Sequence, residues 1–154
     1  MTVFRRRARV TVVTSGHLST CPRMLKSADA LAADGYEVRV IATRHEPWAT
    51  DADVDVASRR SWSAETIDYR RGEGATYWWT GARHRAARAA AAAIGPSRAP
   101  LAVVSCAFSR VHSELVRAIC ADPGDLIYGG TTDRRSGSAV GNDLCRGPRR
   151  LPQR

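Results

Sequence analysis

Lysine is almost absent from this chain. Lys26 is the only one, so the net charge of +9 at pH 7 is carried almost wholly by arginine. A nucleic-acid binder is expected to gather basic residues on one face with aromatic or polar partners. Apart from Arg5, Arg6, Arg7 and the C-terminal tail the arginines are scattered, so nucleic acid is not the expected partner and the charge reads as solvated surface. Cysteine is also sparse: Cys21, Cys106, Cys120 and Cys145 include no Cys-x-x-Cys pair. This argues against a zinc site and for free thiols. His17 and Cys21 stand four apart, a spacing that suits a metal but lacks two further ligands, so the metal expectation is none. No apolar run is long enough to cross a bilayer. Arg5 to Arg7 precede only a short β-branched run without a small-residue cleavage site, a poor signal peptide, so the expected location is cytoplasmic. No Gly-x-Gly-x-x-Gly turn is present.

What the chain does have is concentrated in residues 9–42. Residues 9–15 hold the β-branched run Val10, Thr11, Val12, Val13, Thr14, which suits a parallel strand buried on both faces. Residues 16–21 make a turn, Pro22 is placed as a first helical residue, and Gly35 stands where a left-handed residue would close the helix. Leu25, Ala28, Leu31 and Ala32 recur between them at helical spacing. Residues 37–43 return to the strand pattern with Val38, Val40 and Ile41, and a right-handed crossover lays that strand beside the first. The βαβ unit brings the Gly16 loop and a helix N-terminus to the carboxyl edge of a sheet, where open α/β sheets bind ligands.

The stretch TSGHLSTCPRMLKSADALAADGYEVRVIA resembles the opening of the family 4 type glycosyltransferases of the GT-B fold. Pro22, Arg23, Lys26, Ala30, Leu31, Gly35, Val38 and Val40 fall where that family's pattern has them. Cys21 stands where its members usually carry Asp or Ser as helix cap. The resemblance covers roughly residues 1–132. It implies a partial doubly wound, Rossmann-like parallel sheet of about four strands with flanking helices, forming the N-terminal, acceptor-side domain. It also implies transfer of a sugar from a nucleotide-sugar donor to an acceptor, with no separate cofactor. The family's second domain, which binds the nucleotide sugar, has no counterpart in these residues, so the chain is expected to be inactive alone. The substrate-binding wall implied is Gly16 and His17 for close backbone approach, Arg23 near the helix start, and Gly129, Gly130 and Thr131 across the crevice. The polar cluster that the family often carries after the fourth strand is replaced by Tyr128, Gly129 and Gly130, so no catalytic base is carried over.

The remaining segments are read from pattern. Residues 44–63 are polar and rich in turn-formers and read as a solvated loop. Asp51, Asp53 and Asp55 imitate the start of an EF-hand, but Val56 and Trp62 stand where that loop needs Gly and Glu. Residues 65–71 alternate as a half-buried third strand. Residues 76–94 form an alanine-rich helix whose stripe Trp79, Ala82, Ala86, Ala89, Ala93 is expected to pack inward, with Arg83, Arg85 and Arg88 opposite. Residues 101–121 read as one helix, with a buried strand over 101–105 as the alternative. In it Cys106 and His112 lack a third orienting group and read as a core cysteine and a surface histidine. Residues 125–128 form a short strand, placed beside the first in the order 3-2-1-4 and followed by a Gly129–Gly130 loop. Residues 133–154 hold six arginines and two aspartates without apolar periodicity and are expected to be disordered and possibly out of frame. Two other functions compete with the glycosyltransferase fragment: a small nucleotide-cofactor-binding Rossmann protein, and a basic, non-enzymatic binding module working through the tail.

Overall fold

The structure is a computed structural model, and it describes residues 7–72, 74–95 and 97–130. The expectations for Thr131 and for residues 133–154 concern positions outside these. Four parallel strands form one sheet: β1 (Arg9–Thr14), β2 (Glu37–Arg44), β3 (Ser63–Asp68) and β4 (Leu126–Gly130), in the order β3-β2-β1-β4. Helix α1 (Pro22–Ala33) joins β1 to β2, and α2 (Thr50–Ser58) joins β2 to β3. Between β3 and β4 the chain forms α3 (Ala75–Ile94), α4 (Leu101–Phe108) and α5 (His112–Ala121). This is a small α/β domain of Rossmann-like architecture.

The register explains how the apolar runs divide. Val10 pairs with Val38 and Val12 with Val40, so these four side chains share a face, while Val13 and Ile41 share the other. The first face meets Leu18, Cys21, Met24 and Ala28, with Val56, Ala57 and Trp62 closing the margin. Burying Val12 and Val40 completely contributes about 1.5–3 kcal/mol each. The second face is covered by Val111 and Leu115, with Ile67, Tyr69 and Ile119 around them. Its amino end is polar. Arg39 donates to the carbonyls of Asp122 (2.8 Å) and Ala118 (3.2 Å) and pairs with Glu65, while Arg9 donates to Asp122 at 2.5 Å.

Helix α1 begins and ends as its sequence indicates. Pro22 is its first residue, and Gly35 beyond its end has φ +88°. Cys21 makes no side-chain cap; its sulfur accepts instead from Thr14 Oγ1 at 3.2 Å, which ties the loop to the end of β1.

Several expectations are corrected. Residues 44–63 are not a solvated loop: they contain a 3-10 turn, Pro47–Ala49, and α2, whose first-turn Asp51 and Asp53 suit the positive end of a helix. Trp62 is buried and donates from Nε1 to Asp29 at 2.9 Å. The third strand starts and ends earlier, at Ser63 and Asp68, because its register with β2 runs from Arg39↔Ser63 to Arg44↔Asp68. The expected inward stripe of α3 faces solvent: Trp79 is 65% exposed, and Ala82, Ala86, Ala89 and Ala93 are exposed with it. Thr80 and Gly81 are buried instead, because polar anchors decide the helix's orientation. Arg83 pairs with Glu114 at 2.5 and 2.9 Å, and Arg110 donates to Thr80 Oγ1 at 3.0 Å and to the Tyr77 carbonyl. The single helix over 101–121 is two helices, broken at Ser109, whose φ −124° and ψ 124° are extended; His112 is half-buried at the start of the second rather than on the surface, and Cys106 is half-buried rather than a core residue. Finally, Gly129 and Gly130 continue β4, opposite Val13 and Thr14, instead of opening a loop.

Candidate site at the carboxyl edge of the sheet

The carboxyl ends of β1, β2 and β3 carry the loop 15–21, the segment 45–49 and the segment from Tyr69 onward. The loop after β1 is built from backbone and hydroxyl groups. Gly16 is buried; its N–H donates to Thr14 Oγ1 at 3.2 Å and its carbonyl accepts from the Thr43 N–H at 3.2 Å. Thr43 Oγ1 donates to the Ser15 carbonyl at 2.8 Å. Gly16 therefore lies against the end of β2 as well as β1.

His17 is 2% exposed, and both ring nitrogens are occupied. Nδ1 lies 2.7 Å from Asp53 Oδ2, and Nε2 accepts from the backbone N–H groups of His45 (3.3 Å) and Glu46 (3.0 Å). Two donors at Nε2 require its lone pair, so the proton sits on Nδ1 and is donated to Asp53. Asp53 also accepts from the Ser19 N–H at 2.9 Å and from Ser19 Oγ at 2.7 Å. Burial pushes the Asp53 carboxyl up, but the bonds from Ser19 and His17 outweigh it and the net shift is downward. The group joins three segments; with its ring committed, His17 does not serve as a base.

Around this core lies an aromatic row. The His45 ring is 4.5 Å from that of His17 and stacks on Tyr69 at 5.3 Å with planes 22° apart. Burial, followed by the neighbouring His17, holds the His45 pKa below the usual imidazole value. Burial raises the Tyr69 phenol. The Arg110 guanidinium lies 5.4 Å from the Tyr69 ring centre and 4.3 Å from that of Tyr77, within cation–π range. Trp48, 70% exposed, stands 6.3 Å from His17 at the open side. Arg44 Nε and His45 Nδ1 are buried atoms without a hydrogen-bond partner among the described residues.

Of the residues expected from sequence, Gly16 and His17 lie in the β1 loop, Arg23 is exposed in the first turn of α1, and Gly129 and Gly130 lie in β4. The pairing Thr14↔Gly130 brings the end of β4 beside the start of the Gly16 loop. His45, Tyr69 and Arg110 were not expected here, and Asp53 was noted only as part of an incomplete EF-hand pattern. A signal existed for Asp53, an acid in the first turn of a segment able to form a helix. Arg110 gave none, because its partners are thirty residues away in sequence. Among the described residues no group of three or more His, Cys, Asp or Glu side chains could hold a metal ion, and no helix is long and apolar enough to cross a membrane. No protein-family model, no curated protein and no solved structure matches the chain.

Proposed function

We propose that this chain is the acceptor-side domain of a GT-B-type glycosyltransferase, acting in the cytoplasm on a nucleotide-sugar donor and an acceptor. The observation that carries the reading is the register of β1 with β4. It sets Thr14 opposite Gly130, so the start of the Gly16 loop and the end of β4 lie side by side at the point where the strand order reverses, which is where open α/β sheets bind ligands. Gly16, the His17 backbone and Arg23 form one wall in this reading, and Gly129, Gly130 and Thr131 the other. Gly129 suits such a place: a Cβ there would meet nothing within 4 Å, so the backbone is open to close approach. Transfer requires stabilisation of the departing diphosphate by groups on a second domain, so this chain alone binds without turning over.

Titration of the isotopically labelled chain with UDP-glucose and GDP-mannose, followed by backbone amide shifts, tests the reading. Shifts confined to Gly16, Arg23, Gly129, Gly130 and Thr131, without sugar turnover, are expected. Absence of shifts, or shifts gathered around Asp122 at the opposite edge, would refute it.

A further inference from the structure

The α3–α4 hairpin carries an apolar surface that the domain leaves uncovered. Trp78 and Trp79 are 66% and 65% exposed, and Ala82, Ala86, Ala89 and Ala93 continue their side of the 20-residue helix outward. Helix α4, whose sequence is LAVVSCAF, has no buried residue; Leu101 is 61% and Phe108 64% exposed. A helix that turns Arg83 inward and its apolar stripe outward inverts the usual arrangement in a water-soluble domain. Exposed apolar patches of this extent mark interaction surfaces.

Charge identifies the occupant. Residues 74–113 contain no Asp or Glu. Arg83 and Arg110 are used inside the domain, but Arg85, Arg88 and Arg98 are exposed, and none of them pairs with a carboxylate among the described residues. A second copy of the chain would set these arginines against their like, which disfavours a symmetric dimer through this face. A nucleic acid would satisfy the arginines but not Leu101, Phe108 and Ile94. An anionic bilayer surface satisfies both. Tryptophan sits at the headgroup level, alanine and leucine reach the acyl boundary, and arginine meets lipid phosphate.

We propose that the α3–α4 hairpin docks the domain on anionic membranes, lying in the interface rather than crossing it. The inference is independent of the glycosyltransferase reading, since it uses neither the carboxyl-edge crevice nor β4.

Co-sedimentation of the full chain with phosphatidylglycerol-rich vesicles, against pure phosphatidylcholine vesicles, is the test. Binding to the former alone is expected, with a blue shift of tryptophan emission. Arg85→Glu should weaken partition at least about five-fold, the value of one basic residue near an anionic surface. Arg59→Glu, the same charge change just beyond the end of α2, should have a much smaller effect. Trp78→Ser with Trp79→Ser should weaken it at least about ten-fold, from the apolar area no longer buried. These side chains are exposed, and an unchanged far-UV circular dichroism spectrum confirms that the variants fold. No vesicle binding by the parent chain, or equal loss in Arg85→Glu and Arg59→Glu, would overturn the proposal. A concentration-dependent dimer abolished by the tryptophan pair would overturn it in favour of a second copy.

Discussion

His17 Nδ1 and Asp53 Oδ2 lie 2.7 Å apart with both side chains 2% exposed, and through this pair the loop after β1 is fastened to α2. The contact spans 36 positions of sequence. With the His17 ring neutral, removing the carboxylate leaves the His17 Nδ1–H and the Ser19 N–H without their acceptor and costs about 1.5–3 kcal/mol, the range for hydrogen bonds to charged groups. Asp53→Ala is therefore expected to lower unfolding stability by that order, and Asp53→Asn, which keeps an acceptor, by less. Urea denaturation of the three proteins checks this; equal stability of parent and Asp53→Ala would show that the pair holds nothing.

The same neighbourhood sets an acid limit. His45 titrates near 6.5 in the unfolded chain and lower in the fold, where burial disfavours its charged form. Between those two values the unfolded chain binds more protons, so stability rises with pH there. This contribution is complete above about 6.5 and is lost as pH falls towards the folded value. Asp53 acts in the same direction at lower pH, its contribution being lost as pH falls through its depressed folded value. His45→Phe keeps a ring against Tyr69 and removes one titration. The fall in stability just below pH 6.5 should become shallower, although not flat, because burial also depresses His112. An unchanged slope in urea midpoints across this range would exclude His45 as its source.

The orientation of α3 rests on Arg83 and Glu114, whose side chains are 21% and 14% exposed and bonded at two points. Glu114→Ala should cost about 1.5–3 kcal/mol, the range for hydrogen bonds to charged groups. Amide exchange at Thr80 and Gly81 should quicken with it, since those residues are held against the same contact. Arg83→Met combined with Glu114→Leu should recover most of the loss, because an apolar pair of similar volume has no charge to leave bare. Additive losses in the double variant would contradict this account.

These three sites also show which parts of the fold are legible in the sequence. The β1-α1-β2 unit is, since Val10, Val12, Val38 and Val40 face one another under a parallel register and Pro22 and Gly35 bound the helix between them. The strand order is as well, because right-handed crossovers leave β4 its place beside β1. Helix α3 was placed but turned the wrong way. An alanine-rich stripe favours burial only weakly, whereas Arg83 and Arg110 gain charged partners and a ring face that sequence distance conceals. Residues 44–63 were misread for a related reason. Their polar composition is that of a loop, yet Asp53 finds His17 and Trp62 finds Asp29, and those partners make the segment ordered. The aromatic row around His17 was missed because each member depends on a distant neighbour.

Two glycines five positions apart should respond to the same substitution with opposite signs. Gly124 lies in the turn before β4, and a Cβ built there would meet the Arg9 carbonyl oxygen at 2.8 Å, Thr11 Oγ1 at 2.9 Å and the Thr11 nitrogen at 3.2 Å. Two of these are backbone atoms of β1, which is central in the sheet and cannot yield without disturbing its pairing with β2 and β4. Nearby, the Asp125 N–H donates to the Arg9 carbonyl at 2.8 Å and the Arg9 N–H donates to Asp125 Oδ2 at 2.8 Å, so displacement of this turn strains both bonds. Gly124→Ala is expected to destabilise by about 1–3 kcal/mol, the usual cost of overpacking. At Gly129 the strand conformation suits any L-residue, and the space for a Cβ is empty. Gly129→Ala should then stabilise by about 0.4–1 kcal/mol by restricting the unfolded chain. If Gly129 also forms part of a binding wall, the same variant should weaken binding of a nucleotide sugar while it raises the melting temperature. Loss of stability in Gly129→Ala, or tolerance of Gly124→Ala, would mean that β4 does not lie against β1 in the register described.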